Sequence, residues 1–153
     1  MATTTATITL ASADIMDNAL SVTNIATLTK AGSSTGLLDT TGLRRKRIAS
    51  AIKIDLLKRE SEGLTADGAN KLYIKNTGTS ATKYATVSIG DIGGTATVLG
   101  RLYGGDWMFI PWSCDITAAA NDSSIELEAF TAANTIEYAL FHNGETLVTS
   151  ADS

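Results

Sequence analysis

The chain has 153 residues, a mass of 15.9 kDa and a formal net charge of −4. It is 44% hydrophobic and only 18% charged, which excludes a disordered chain and a coiled coil, and its length fits one domain. A single cysteine and a single histidine exclude an internal disulfide framework and a zinc site of the usual His/Cys type. The sequence pI of about 4.9 argues against nucleic-acid binding, so no nucleic-acid partner is expected.

Residues 1–30 are predicted to form an N-terminal arm with a short helix. Residues 5–10 alternate polar and apolar side chains, as a strand or an extended arm does. The helix is predicted after Ser12, which can serve as its N-cap. Four side chains then recur at helical spacing: Ile15, Met16, Ala19 and Leu20. The start of the chain has no basic flank before an apolar run, so no signal peptide is expected. No window approaches ~20 apolar residues, so no membrane partner is expected.

Residues 31–70 are predicted to be a loop-rich basic segment with one or two strands. Residues 31–43 and 60–70 are rich in small and polar side chains, which is typical of loops. Between them, Ile48, Ile52 and Leu56 fall at helical spacing, but Ile52 and Leu56 also alternate with polar residues as in a strand. We favour a strand because β-branched isoleucines suit a pleated surface.

Charge is unevenly distributed along the chain. Residues 44–59 carry a net +6, whereas residues 106–153 contain no Lys or Arg and carry −8. Such a chain can attract a copy of itself or a partner of opposite charge; alternatively, the two regions face each other or water within one fold. The basic run consists of Arg44, Arg45, Lys46 and Arg47. It is a candidate for contact with an acidic protein surface, with a solvated loop as the alternative.

Residues 71–153 are predicted to supply the main strands of a β-sandwich. Short alternating segments are separated by turns every 8–12 residues, which is typical of a sandwich or barrel, and Asn143-Gly144 is a strong hairpin signal. Alternation places Glu126, Glu128 and Glu137 on outward positions. The side chains predicted to face inward are Leu72, Ile74, Val87, Ile89, Ile125, Leu127, Ile136 and Leu140.

Aromatic side chains are concentrated near residue 110. Alternation sends Trp107 and Phe109 to one face of a strand and Met108 and Ile110 to the other. One pair is predicted to be core, and the other to be either the core of a second sheet or a contact anchor. Together with the basic run, Trp107 and Trp112 are therefore the candidate partner-binding residues.

No catalytic constellation emerges from the sequence. The only histidine, His142, has no serine in a Gly-x-Ser-x-Gly elbow to serve, and Cys114 follows an apolar strand, where a free cysteine usually packs in the core. Glu126 and Glu128 share one strand face, whereas glycosidases usually take their two carboxylates from different strands. Three turn acids could ligate calcium or hydrogen-bond within their turns: Asp91, Asp106 and Asp122. No enzyme activity, metal or cofactor is expected.

Four segments carry a family resemblance: residues 71–78, 85–89, 100–112 and 134–141. A strand, Gly105-Asp106, an aromatic strand and Pro111-Trp112 are followed by acidic strands and a final strand containing Ile136-Glu137-Tyr138. This order resembles the small all-β virion proteins of tailed bacteriophages, especially capsid decoration (cement) proteins. The resemblance covers residues 71–141, and residues 1–70 match nothing in that pattern.

The resemblance implies a single jelly-roll-like β-sandwich, symmetric oligomers that are often trimers, and docking on the major capsid protein. It implies no catalytic residues. The protein is therefore expected to be a non-enzymatic structural protein on the capsid exterior of a virion, made in the host cytoplasm. The alternative is a tail, collar or fibre β-sandwich module that binds a host-surface glycan, because jelly-roll cores arise in both settings.

Overall fold

The computed structural model describes residues 4–13, 19–29, 37, 39–58, 70–91, 96–112 and 123–142. This part of the chain is all-β. Among the described residues, no helix is long and apolar enough to span a membrane. The described strands are β1 (Thr5–Ser12), β2 (Leu20–Thr27), β3 (Asp39–Thr40), β4 (Arg44–Ile48), β5 (Lys53–Lys58), β6 (Asn70–Asn76), β7 (Tyr84–Asp91), β8 (Thr97–Tyr103), β9 (Trp107–Trp112), β10 (Ser123–Ala129) and β11 (Asn134–His142).

Two antiparallel sheets form a β-sandwich-like body. The first sheet has the order β3-β11-β6-β9, and β4 also pairs with β11. Since β3 pairs with the end of β11 and β4 with its beginning, these two short strands follow one another along the same edge. The second sheet has the order β5-β10-β7-β8. The chain passes repeatedly from one sheet to the other, so each sheet is built from strands distant in sequence.

The core lies between the inner faces of the two sheets. Seven of the eight side chains predicted to face inward have no exposed surface, and the eighth, Ile89, is partly buried against them. This result confirms the predicted inward set and follows from the two-residue period of a strand. Ile48 on β4 and Leu57 on β5 complete the core at the sandwich edge.

Two buried asparagines on the first sheet are bonded to the second sheet. Asn76 donates from Nδ2 to the Leu102 carbonyl at 2.9 Å and to Oδ1 of Asn134 at 3.3 Å. Asn134 in turn donates from Nδ2 to the Tyr84 carbonyl at 3.1 Å. Because Leu102 and Tyr84 belong to β8 and β7, this asparagine clamp joins both sheets at one end of the core. It also satisfies polar groups that would be costly to bury unpaired.

The edge formed by β3 and β4 is interrupted at Thr41 and Gly42. The Thr41 N–H donates to the Leu140 carbonyl, and the Leu140 N–H donates to Thr41 Oγ1, both at 3.0 Å. Gly42 has a φ of 69°, a conformation that glycine adopts without a steric penalty. The side chain of Thr41 therefore replaces a ladder bond while the backbone is displaced from the sheet.

The arm is a two-stranded hairpin. β1 and β2 pair antiparallel, with Leu10 opposite Val22 and Ser12 opposite Leu20. The predicted short helix is not seen among the described residues, and strand pairing excludes helical backbone at Leu20, which begins β2. Ile15 and Met16 lie outside the described residues.

The described part of residues 31–70 contains β3, β4 and β5, and the basic run forms most of β4. Residues 31–43 were predicted to be loop, but Asp39 and Thr40 pair with the end of β11. The sequence offers no alternation over the basic run, because every member is charged. The predicted Asn143-Gly144 turn and the predicted loop over residues 60–69 lie outside the described residues.

Candidate functional site

The basic run lies on an exposed edge strand. All four of its side chains are exposed, and β4 pairs with β11 on one side only. Arg45 is opposite Glu137 and Arg47 is opposite Thr135, so both project from the outer face of the first sheet. Arg44 and Lys46 alternate with them and lie at the open rim of the sandwich. The strand therefore presents positive charge in two directions.

Only one member of the basic run forms an ion pair among the described residues. Arg45 Nη2 lies 2.9 Å from Glu137 Oε2, and its Nε donates to the same oxygen at 3.0 Å. Arg44 donates from Nε to the Thr41 carbonyl at 3.1 Å. Within the described part of the chain, no acid pairs with Arg44, Lys46 or Arg47. Three cations therefore remain available to an acidic partner.

The basic run also limits how β4 can pair. An edge strand with unpaired backbone groups can add a strand from another molecule, and charged residues on that edge oppose such pairing. Two copies of β4 placed side by side would bring eight cations together, counting four exposed cations from each copy. The edge is therefore protected against pairing with itself and suited to an acidic surface.

Two of the three acids predicted to be outward are already engaged within the chain. Glu137 is bound by Arg45, and Glu126 forms an ion pair with Lys53; Glu128 is exposed. The prediction that Glu126 is accessible is wrong, since it is only 4% exposed. Its carboxyl group lies beside Gly90 on β7, where the missing side chain leaves room for it. These pairs join the basic segment to the acidic last third within one fold, which is one of the two arrangements considered from the sequence.

The outer face of the first sheet bears a groove of about 380 Å³. Its walls are β1 of the arm on one side and the outward side chains of β6, β9 and β11 on the other. Trp107 is 49% exposed at this groove, while Tyr73, Phe109 and Phe141 are half-buried in it. Met108 and Ile110 pack against the core. Trp107 and Phe109 therefore lie outside the core, and their role as a contact anchor stays a prediction.

A charged row leads across the sheet to Trp107. Glu137 is opposite Lys75 on one side and Arg45 on the other, and Lys75 is opposite Trp107. Burial raises the pKa of the Tyr73 phenol, and the nearby carboxylate of Glu137 raises it further. The groove thus combines aromatic surfaces with an ammonium group and the threonine hydroxyls of β1.

Trp112, the other candidate anchor, lies in the core. Its side chain is 3% exposed and belongs to the hydrophobic cluster between the sheets. The strand period explains this placement, because Trp112 shares the inward face of β9 with Met108 and Ile110. Of the two candidate tryptophans, only Trp107 is accessible at the surface.

A second aromatic cluster, missed by the sequence analysis, lies on the outer face of the second sheet. Tyr84 packs against Tyr103 with ring centroids 5.2 Å apart and stacks on Phe130 at 4.7 Å. The Arg101 guanidinium lies 4.7 Å from the centre of the Tyr84 ring, within cation–π range. Tyr84 begins β7 and Tyr103 ends β8, so antiparallel pairing of these strands is the signal that could have found the cluster.

The residues weighed for catalysis do not converge. His142 is 1% exposed, and neither ring nitrogen has a hydrogen-bond partner, so a substrate has no direct access to it. Asp106 Oδ2 accepts from the Tyr103 N–H at 2.9 Å, which is a turn role. Cys114, Asp122 and the side chain of Asp91 lie outside the described residues. Within the described ranges, no three His, Cys, Asp or Glu side chains are grouped as a metal site.

No protein-family model matches the chain, and no curated protein matches it. Fold and surface together define an all-β, sandwich-like protein with three features suited to contact: a basic edge strand, an aromatic groove and a hairpin arm. These features, rather than a relative, support the function proposed next.

Proposed function

We propose that the protein is a non-enzymatic structural protein of a tailed-bacteriophage virion. In this role it decorates or cements the exterior of the capsid by binding the major capsid protein. The family resemblance of residues 71–141 points to this class, and the strand order and the charge of the surface support it independently.

The strand order supports the jelly-roll-like interpretation of the sandwich. Counted from β4 to β11, the first sheet contains the first, eighth, third and sixth strands in that spatial order. The second sheet contains the second, seventh, fourth and fifth strands. This is the order of an eight-stranded jelly roll, an architecture found in viral capsid and lectin domains. Because a fold hosts many functions, the role has to be argued from the surfaces.

The observation that carries the proposal is the basic edge strand. Arg44, Lys46 and Arg47 are exposed and form no ion pair with a described acid. In a second copy, Glu126 and Glu137 could have formed ion pairs with these cations, but both are already paired within their own chain. An acidic surface of another protein therefore fits best. Each exposed pair is worth only about 0–1 kcal/mol, so several cations must act together.

The test is binding of the purified protein to capsids that lack it. A triple variant, Arg44→Gln, Lys46→Gln and Arg47→Gln, removes the unpaired cations but keeps the Arg45–Glu137 pair. Binding is measured from ~50 to 500 mM salt, where the screening length falls from roughly 14 to 4 Å. We expect a lower on-rate and a weaker salt dependence, with an almost unchanged melting temperature. Equal binding of both proteins at every salt concentration would contradict the proposal.

A matched pair of single variants provides the control. Arg47→Gln removes one exposed cation from β4, and Lys83→Gln removes one exposed cation just before β7. Both change the net charge by the same amount, so only a specific contact separates them. Copy number gives a second criterion: a cement protein is expected in numbers comparable to the major capsid protein, whereas a fibre component is expected to be much rarer.

The aromatic groove favours a second candidate function, a tail, collar or fibre module that binds a host-surface glycan. Its volume of about 380 Å³ falls in the range of ligand-binding clefts, which combine apolar walls with a few polar groups. Trp107→Ala would weaken binding to purified host-surface polysaccharide if this candidate holds. Phe130→Ala is the control, because Phe130 is also 49% exposed but lies on the other sheet.

A further inference from the structure

One face of the β1–β2 hairpin bears apolar side chains along its length, with Asn24 opposite Ile8 and Ser12 opposite Leu20 as the polar positions. Directly opposite residues of an antiparallel pair lie on the same face, so Leu10 and Val22 share a face with Leu20 and Ile8. The other face is built mostly of threonine and serine. We call the distal part of the first face the apolar stripe, which consists of Leu10, Leu20 and Val22.

The chain covers only the proximal part of this face. Ile8 is half-buried and Leu28 is 4% exposed where both line the groove with Tyr73 and Phe109. Farther along the hairpin than Ile8, no described residue packs against this face. Leu10, Leu20 and Val22 are 53%, 39% and 47% exposed. The same apolar surface therefore continues from a packed half into an unpacked half.

An uncovered hairpin is poorly stabilised by itself. A two-stranded ribbon is marginally stable in water unless further strands or a packed surface support it. Every residue of β2 is exposed, so the distal hairpin has no such support from the described part of its own chain. Packing the apolar stripe against another apolar surface would supply it.

The charge distribution indicates a second copy as the partner. Residues 4–13 and 19–29 contain no charged side chain, whereas the whole chain carries −4. Copies of the chain therefore repel one another in general. The paired strands β1 and β2 add no charge to that repulsion, while Asp14 and Asp17 lie in the segment between them. The β4 edge opposes its own copy through four cations. A matching uncharged stripe is present on every copy, and burying one stripe against another desolvates no charge.

We propose that the apolar stripe of one chain packs against the apolar stripe of a second copy, so that the hairpin arms join protomers. Such a contact is self-complementary, as a dimer with a two-fold axis requires. It extends the interface that Ile8 and Leu28 already make with the sandwich. It also leaves β4 free for a different partner, so the inference does not depend on capsid binding.

The first experiment measures mass in solution by light scattering over a dilution series. The triple variant Leu10→Thr, Leu20→Thr and Val22→Thr removes the stripe while keeping good strand formers. We expect the wild type to be oligomeric at high concentration and the variant to be monomeric there. Ile25→Thr is the matched control, because Ile25 is 67% exposed on the opposite face, and it should behave as the wild type. Far-UV circular dichroism verifies that each variant is folded.

Cross-linking tests the same contact while Leu10 and Leu20 stay in place. In a Cys114→Ser background, Val22→Cys should form a disulfide-linked dimer on oxidation, whereas Thr23→Cys on the other face should not. A wild type that is monomeric at every concentration would overturn the proposal, as would equal cross-linking from both positions or an Ile25→Thr variant that dissociates like the triple variant. If the wild type is oligomeric but does not bind capsids, only the proposed function is contradicted and the stripe contact stands.

Discussion

Lys53 at the sandwich edge is paired with a buried carboxylate on the neighbouring strand, that of Glu126. Lys53 Nζ lies 2.5 Å from Glu126 Oε2, and the two side chains are 49% and 5% exposed. The contact is an ion pair without the geometry of a hydrogen bond. Because a buried charge is costly without a partner, Lys53 has a structural role despite its exposure.

Replacing Lys53 with methionine is expected to lower the free energy of unfolding by about 1–3 kcal/mol, since it leaves the Glu126 carboxylate unpaired. The control is Lys58→Met. Its partner Asp55 is 24% exposed, so water can replace the lysine and the loss should stay below about 1 kcal/mol. Urea unfolding measures both variants. Equal losses would show that the burial of Glu126 does not matter.

Gly90 is expected to tolerate no side chain. A Cβ atom there would lie 2.8 Å from the Ala96 Cβ, 3.0 Å from the Ala96 Cα and 3.1 Å from the Glu126 Cδ. Gly90→Ala should therefore destabilise the protein by about 1–3 kcal/mol through overpacking. Gly100→Ala, on the neighbouring strand, meets nothing within 4 Å and should change stability far less. Thermal unfolding distinguishes the two, and a neutral Gly90→Ala would contradict the close packing of Ala96 and Glu126 around Gly90.

Leu127 anchors the middle of the core and has no exposed surface. Leu127→Ala should cost about 2–5 kcal/mol, the usual range for a cavity left in a packed core. The same change at Leu99, which is 43% exposed on β8, should alter stability by no more than about 0.5 kcal/mol. A cost below about 1 kcal/mol at Leu127 would contradict a tightly packed sandwich.

Alkaline pH should destabilise the protein through Tyr73. Burial and the charge of Glu137 raise its pKa above the usual value of 10.0, so the folded state favours the neutral phenol. The stability that the neutral Tyr73 phenol contributes is fully present below the usual pKa. It is lost as the pH rises through the higher pKa of the folded state. Tyr73→Phe should therefore reduce the loss of stability at alkaline pH.

The charge contribution from Glu137 can be tested separately. Glu137→Gln should lower the pKa of Tyr73 toward its usual value, whereas Glu128→Gln, an exposed acid on the other sheet, should leave it unchanged. The tyrosinate absorbance of each protein is titrated, and the curve of the corresponding Tyr73→Phe variant is subtracted. An unshifted curve for Glu137→Gln would leave burial as the sole cause.

Alternation was sufficient to predict the inward face of the central strands. Leu72 and Ile74 on β6, and Ile136 and Leu140 on β11, were placed correctly because a strand between two neighbours keeps its two-residue period without interruption. The same reasoning explains why Trp112 is buried and Trp107 is not. On β6 and β11, each of which lies between two neighbours, sequence period and burial agree.

The edges could not be predicted in this way. Glu126 has an outward position, but its side chain is buried where Gly90 on the neighbouring strand leaves room for it and Lys53 pairs with it. The basic run forms a strand because β11 offers a pairing edge, a cause that lies outside residues 44–47. β2 was missed for a similar reason, since it forms by pairing with β1 while all its residues are exposed.

The asparagine clamp has a mechanical consequence. Asn76 and Asn134 bind carbonyls of β8 and β7 at one end of the core, so the two sheets cannot slide past each other without breaking directional bonds. A purely hydrophobic interface would yield to sliding gradually, because apolar contact has no preferred direction. A pull on β4 would reach β11 through their shared ladder, and Asn134 would pass it to the second sheet. The sandwich is therefore built to bear shear as one unit.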